Sequence, residues 1–164
     1  MSRRTFILLA LLPALIYVAF HFLSPSRQLA SSQNRLLSAI ASKDAETVAG
    51  LLDPHYSDQW GFQSKDWPGI LQDLRTVAPV LEITAREPHI DADNGVVETL
   101  LTVKGQGPVA ESMQTQAATL KNTRFIWKRA SWTPWSWRLT GIQNPDIEIP
   151  SGYTPGRIAD TVGF

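Results

Sequence analysis

An α+β domain behind one membrane-spanning helix is the fold class the sequence predicts, and three observations carry that prediction. No charged residue occurs between Arg4 and Arg27, and the stretch from Phe6 to Leu23 inside that gap is almost wholly apolar. Apolar residues then recur at helical spacing as far as Val77, and past Pro79 they alternate with a period of two. Asp93-Asn94-Gly95 interrupts the alternation with a strong hairpin signal. Helices first and consecutive antiparallel strands after them imply three helices packed on a four-stranded antiparallel sheet.

Residues 6–23, as a helix rising about 1.5 Å per residue, reach roughly 27 Å, near the hydrocarbon thickness of a bilayer. Arg3 and Arg4 precede the run and are expected to stay in the cytoplasm, which puts the bulk of the chain on the far side. Residues 1–27 are therefore read as a single-pass anchor in an inner (cytoplasmic) membrane. The rival reading is a cleaved signal peptide. Against it, the run exceeds a signal core, and the best small-residue cleavage site, Leu29-Ala30-Ser31, lies beyond the charged Arg27. There is no cysteine, so no disulfide or thiolate metal site exists, and the exported part must stand on its core. Net charge is zero with scattered basic residues, which argues against a nucleic-acid surface.

Leu29, Leu36, Leu37 and Ile40 fit an amphipathic helix over residues 28–41. Asp44 is placed to N-cap a second, short helix carrying Val48, Leu51 and Leu52, which Asp53-Pro54 ends. Ser64 or Asp66 caps a third, with Trp67, Ile70, Leu71, Leu74 and Val77 as its stripe; Pro68 is tolerated there because it falls in the first turn. Leu81, Ile83 and Ala85 mark the inner face of a first strand, and Pro88 marks an edge or bulge in it. Val97, Thr99, Leu101 and Val103 mark the second strand. A longer third strand is expected over residues 115–129 and a fourth through Trp137, Leu139 and Gly141. Residues 145–164, rich in Pro and Gly, form an irregular tail whose Ile147, Ile149, Tyr153 and Phe164 should anchor it to the domain.

Three helices, a Tyr56-Ser-Asp58 loop with Gly61, a capped helix, and strands carrying Arg124-Phe-Ile-Trp127 and Trp137-Arg-Leu139 resemble the nuclear transport factor 2-like (SnoaL-like, cystatin-like cone) superfamily over residues 28–144. The resemblance implies a cone, with the sheet curved around the helical layer and a pocket opening between them. It also implies that residues of the 55–62 loop stand at the pocket mouth. The superfamily holds enzymes, ligand binders and structural subunits, so membership leaves function open.

His55, Tyr56 and Asp58 form the densest polar cluster. As catalytic groups, Asp58 or His55 would serve as general base and Tyr56 as donor to a developing oxyanion. As structural groups they cap turns, with the Tyr56 ring packed on the sheet. The second role is favoured, because the cluster is local and has no identified partner elsewhere. His55, Asp58, His89 and Asp91 are spaced too irregularly for a metal motif, and no cofactor is expected. Trp127 and Trp137 should face the sheet interior. Trp60, Trp132 and Trp135 lie in loops, where they line a pocket mouth, grip a partner, meet the membrane interface or pack beneath the tail. Arg124 and Arg138, if outward, pair with Glu82 and Glu98 for a few tenths of a kcal/mol each.

The expected function is an extracytoplasmic binding module, with Tyr56, Asp58, Trp60, Trp127 and Trp137 around a cleft for a small apolar ligand or a protein segment. The alternatives are a small pocket isomerase, dehydratase or hydrolase using Asp58, His55 and Tyr56, and a structural subunit of an envelope assembly. A homodimer is compatible with the sequence, which does not specify the oligomeric state.

Overall fold

The structure is a computed structural model and describes residues 24–107, 110–131, 133 and 135–158. The expected membrane span over residues 6–23 lies outside the described residues, as do Trp132 and Phe164. Among the described residues, no helix is long and apolar enough to cross a membrane.

Helix α1 (Pro25–Ser42) is followed by α2 (Ala45–Leu51), a 3-10 turn (Ser64–Asp66) running into α3 (Trp67–Val77), β1 (Val80–Asp91), β2 (Val96–Gln106), α4 (Ala110–Thr119), β3 (Thr123–Arg129) and β4 (Trp137–Gln143). The four strands form one antiparallel sheet in sequence order. Asp44 caps α2 through its carboxylate on the Thr47 amide, as expected. The apolar stripes of α1 and α3 meet the inner sheet face in one core of Leu29, Leu36, Leu37, Leu71, Val97, Phe125, Trp127, Trp137 and Leu139. Gln33 lies inside the α1 stripe and is buried; its Oε1 accepts the Trp127 indole N–H at 3.0 Å.

Two irregularities bend the sheet, one in β1 between Arg86 and His89 and one in β3 between Ile126 and Trp127. The first contains Pro88 and a left-handed Glu87, and the buried Thr99 hydroxyl donates to the Arg86 carbonyl there. His89 points out, exposed, opposite Glu98.

Residues 110–119 correct the sequence reading. They form a fourth helix, whose residues 115–119 replace the start of the strand expected over 115–129, and β3 starts only at Thr123. The segment is rich in Ala, Gln, Met and Glu, good helix formers, but carries no apolar period to announce the helix. β3 pairs with β2 only from Val96 to Thr99, which leaves the later half of β2 with an open edge. α4 packs alongside β2, and the Gln114 amide donates to the Gly105 carbonyl at 3.1 Å.

The β1–β2 turn demands glycine for two reasons. Gly95 has φ of 67°, and its backbone is so close to the Trp127 carbonyl that a Cβ would collide with it. The Trp127 amide in turn donates to the Gly95 carbonyl at 2.7 Å. Gly95→Val is therefore expected to destabilise the domain by about 2 kcal/mol or more. Denaturant unfolding measures this, and a loss near zero would mean that the turn is not built as described.

Candidate functional site

The segment between α2 and the 3-10 turn lies along the free edge of β4. Asp53, Ser57 and Gln59 amides donate to the Leu139, Thr140 and Ile142 carbonyls, and Leu52 bridges Leu139 in parallel. Gly141 permits this approach, since a Cβ there would stand 2.9 Å from the Ser57 carbonyl oxygen. The segment thus covers an edge strand and turns Tyr56 inward. Tyr56 is only 2% exposed, with its ring edge-on to Trp67 at 6.0 Å.

The Tyr56 hydroxyl donates to Asp58 Oδ2 at 3.1 Å. Asp58 Oδ1 accepts the Trp60 and Phe62 amides at 3.0 and 2.9 Å, so this carboxylate organises its own loop. Burial pushes the Asp58 carboxyl above its ordinary pKa, against the pull of the loop amides and the Tyr56 hydroxyl. Burial first, and the Asp58 charge second, push the Tyr56 phenol up. His55 is exposed, and its amide donates to Asp53. Among the described residues, no three His, Asp or Glu side chains gather to hold a metal ion.

The other half of the expected lining is elsewhere. Trp60 is half-buried beneath the tail, with its indole N–H donating to the Ile147 carbonyl at 2.8 Å. The tail is fastened at further points. Asn144 and Gln59 bond reciprocally. The Tyr153 ring stands edge-on to Phe62 at 5.8 Å. Asp73 of α3, 3% exposed, accepts the Tyr153 hydroxyl and the Gly156 and Ile158 amides at 2.8, 2.8 and 3.1 Å. Where the sequence reading expected a pocket mouth beside residues 55–62, the tail lies over the loop. Asp73 and Asn144 were missed; Asp73 flanks the α3 stripe, which is the one signal that hinted at its burial.

Trp127 and Trp137, 3% and 4% exposed, belong to the core and also wall a cleft of about 420 Å³ at the β1–β2 turn end. Its other walls are Pro25, residues 92–95, Lys128 and Arg129. Trp127 and Trp137 thus border a cleft at the opposite end of β4 from residues 55–62. The Arg129 guanidinium lies 5.5 Å from the Trp137 ring centroid and donates to Gln28 Oε1 at 3.3 Å. Among the described residues, the buried indole N–H of Trp137 has no hydrogen-bond partner. A second hollow of about 690 Å³ involves Glu98, Lys121, Arg124 and Gln143, where the expected Arg124–Glu98 pair forms at 3.6 Å in partly exposed surroundings.

No family model matches the chain, and no curated protein matches its sequence. Solved structures do resemble the fold. The S. rosetta CaMKII hub matches with a TM-score of 0.55 at 17% identity, over 74% of this chain and 95% of that one. Bd1075 of Bdellovibrio bacteriovorus matches at 0.56 and 12% identity, over 72% of this chain, which spans 40% of that protein. An NTF2-like protein of unknown function in nutrient uptake from Rhodospirillum rubrum matches at 0.50 and 19% identity, over 73% of this chain and 98% of that one. At such identities the likeness shows a nuclear transport factor 2-like fold and nothing finer.

Asp73→Ala is expected to cost about 1–3 kcal/mol and to speed chymotryptic cleavage at Tyr153, since the tail loses three bonds to one carboxylate. Asp58 yields a pH signature. Its raised pKa means that the folded state holds the proton longer than the unfolded state. Stability from this group therefore falls as pH climbs from about 3.9 through the raised value. Asp58→Asn does not titrate, so wild-type Tm minus variant Tm should decrease across that interval. A constant difference would place Asp58 in ordinary solvent.

Proposed function

We propose that the protein is a single-pass, inner-membrane-anchored binding module of the nuclear transport factor 2-like fold, exposed outside the cytoplasm, that takes a small apolar ligand or peptide segment in the Trp127–Trp137 cleft. One observation carries the binding role: a cleft walled by two tryptophans, with the Arg129 guanidinium beside the Trp137 ring. Its walls set the two tryptophans beside Asp93, Asn94, Lys128 and Arg129, so apolar surface and charge are both offered to a ligand. The suitable ligand has an apolar body and one acceptor or anionic group. The apolar run over residues 6–23 behind Arg3 and Arg4 supports the anchor.

The raised pKa of Asp58 favours the enzyme reading as the second choice. Its geometry weighs against that reading, because the carboxylate is engaged by two loop amides and a buried phenol, and His55 is exposed.

An alkaline-phosphatase fusion after Phe164 should be active and sediment with membranes; a shortened soluble product would mean a cleaved signal peptide. Titrating the full chain in detergent with anilinonaphthalene sulfonate should change tryptophan emission saturably, and Arg129→Gln should weaken the apparent affinity roughly tenfold. An unsaturable response, equal in both proteins, would remove the cleft as the site. A detected turnover abolished by both Asp58→Asn and Tyr56→Phe, with folding intact, would reinstate the enzyme.

A further inference from the structure

The start of α1 is built into the domain. Gln28 and Leu29 in its first turns are buried, and Gln28 Oε1 accepts the Arg129 guanidinium at 3.3 Å and the Trp135 amide at 3.4 Å. Only Ser24 separates Pro25, the first residue of α1, from the end of the apolar run at Leu23. One residue spans at most ~3.5 Å. The polar layer outside the hydrocarbon is roughly 5–7 Å deep on each side of a bilayer. With no linker long enough to swing on, the surface around Pro25 must lie in that layer if residues 6–23 span the membrane.

That surface carries an unusual residue. Trp135 is 54% exposed, and its φ of 69° puts a bulky side chain in the left-handed region. Exposure and backbone strain both disfavour tryptophan here, where asparagine or glycine would suit the turn better. An indole gains from the boundary between water and lipid, where its ring meets apolar carbon and its N–H stays solvated. Arg27, Lys128 and Arg129 are exposed nearby and Asp93 on the β1–β2 turn offsets only part of their charge, so a basic rim accompanies the indole and suits anionic headgroups.

We infer that the end of the domain around Pro25 is a bilayer-contact face, with Trp135 as its interfacial anchor. The inference rests on the anchored reading of residues 6–23. It orients the molecule: the Trp127–Trp137 cleft stands beside the headgroups, and the tail over residues 55–62 is remote from them. β4 runs from Trp137 to Gln143 between the two, a distance of roughly 20 Å.

None of the six tryptophans falls within residues 6–23, so tryptophan emission reports the remainder of the chain alone. The full chain is reconstituted in vesicles of phosphatidylethanolamine and phosphatidylglycerol, with lipids brominated near the carbonyl end of the acyl chain. The bromines should quench part of the emission. Trp135→Asn should at least halve the quenching, while Trp60→Phe, at the far end, leaves it unchanged. In detergent the melting temperature of Trp135→Asn should equal or exceed the wild type, because asparagine tolerates the left-handed backbone. A chain that floats with the vesicles but is not quenched, or is quenched equally in Trp135→Asn, overturns the inference and leaves the anchor standing. A chain that does not float overturns both. Cross-linked dimers that shield Trp135 from acrylamide equally in detergent and in vesicles would assign the face to a second copy and overturn the lipid contact.

Discussion

Helix α1 covers the inner face of the sheet, and the hydrogen bond from the Trp127 indole to Gln33 Oε1 holds it in register at the centre of the core. Both groups are buried, so displacing the helix would strand two polar atoms at about 1–3 kcal/mol each, in addition to exposing Leu29, Leu36 and Leu37. The dependent features follow in order. The sheet bends at two irregularities around the helix. β3 then diverges from β2 after Thr99, and α4 takes the edge it leaves. The start of α1 is pinned beside the β1–β2 turn.

Polar side chains in and beside the irregular segments are spent on holding backbone. Asp58 gathers its own loop, Asp73 grips the tail, and Asn144 and Gln59 join the two. Each satisfies amide or hydroxyl donors that would otherwise be buried without partners beside the core. This explains why the acidic and phenolic groups that look most chemical in the sequence are poorly placed to meet a substrate. Asp58 already accepts three hydrogen bonds, the Tyr56 hydroxyl is spent on one of them, and the Tyr56 ring packs against Trp67.

The molecule is therefore divided along β4. At the Gln143 end, the loop and tail form a hydrogen-bonded cover beside the hollow that Glu98, Lys121 and Arg124 border. At the Trp137 end, aromatic rings, an arginine and a glycine-dependent turn surround an open cleft. Related folds serve many purposes, so shape alone assigns no role.

The period of apolar residues determined α1, α2, α3, β1 and β2, and the Asp93-Asn94-Gly95 turn was legible because few residue types adopt its backbone. Outward pairing of Arg124 with Glu98 was legible for the same reason, since strand alternation assigns faces. The α4 helix was not, because its residues carry no apolar period and it is held by the edge that β3 leaves open. Nor was the partition of the candidate site. Tyr56, Asp58 and Trp60 share a loop, and Trp127 and Trp137 share a sheet face, yet which end of β4 each group occupies depends on long-range pairing. Local sequence encodes which residues turn inward. Only the tertiary structure decides what they meet there, because hydrogen bonds such as Asp73 to the tail and Gln33 to Trp127 join residues 80 and 94 positions apart.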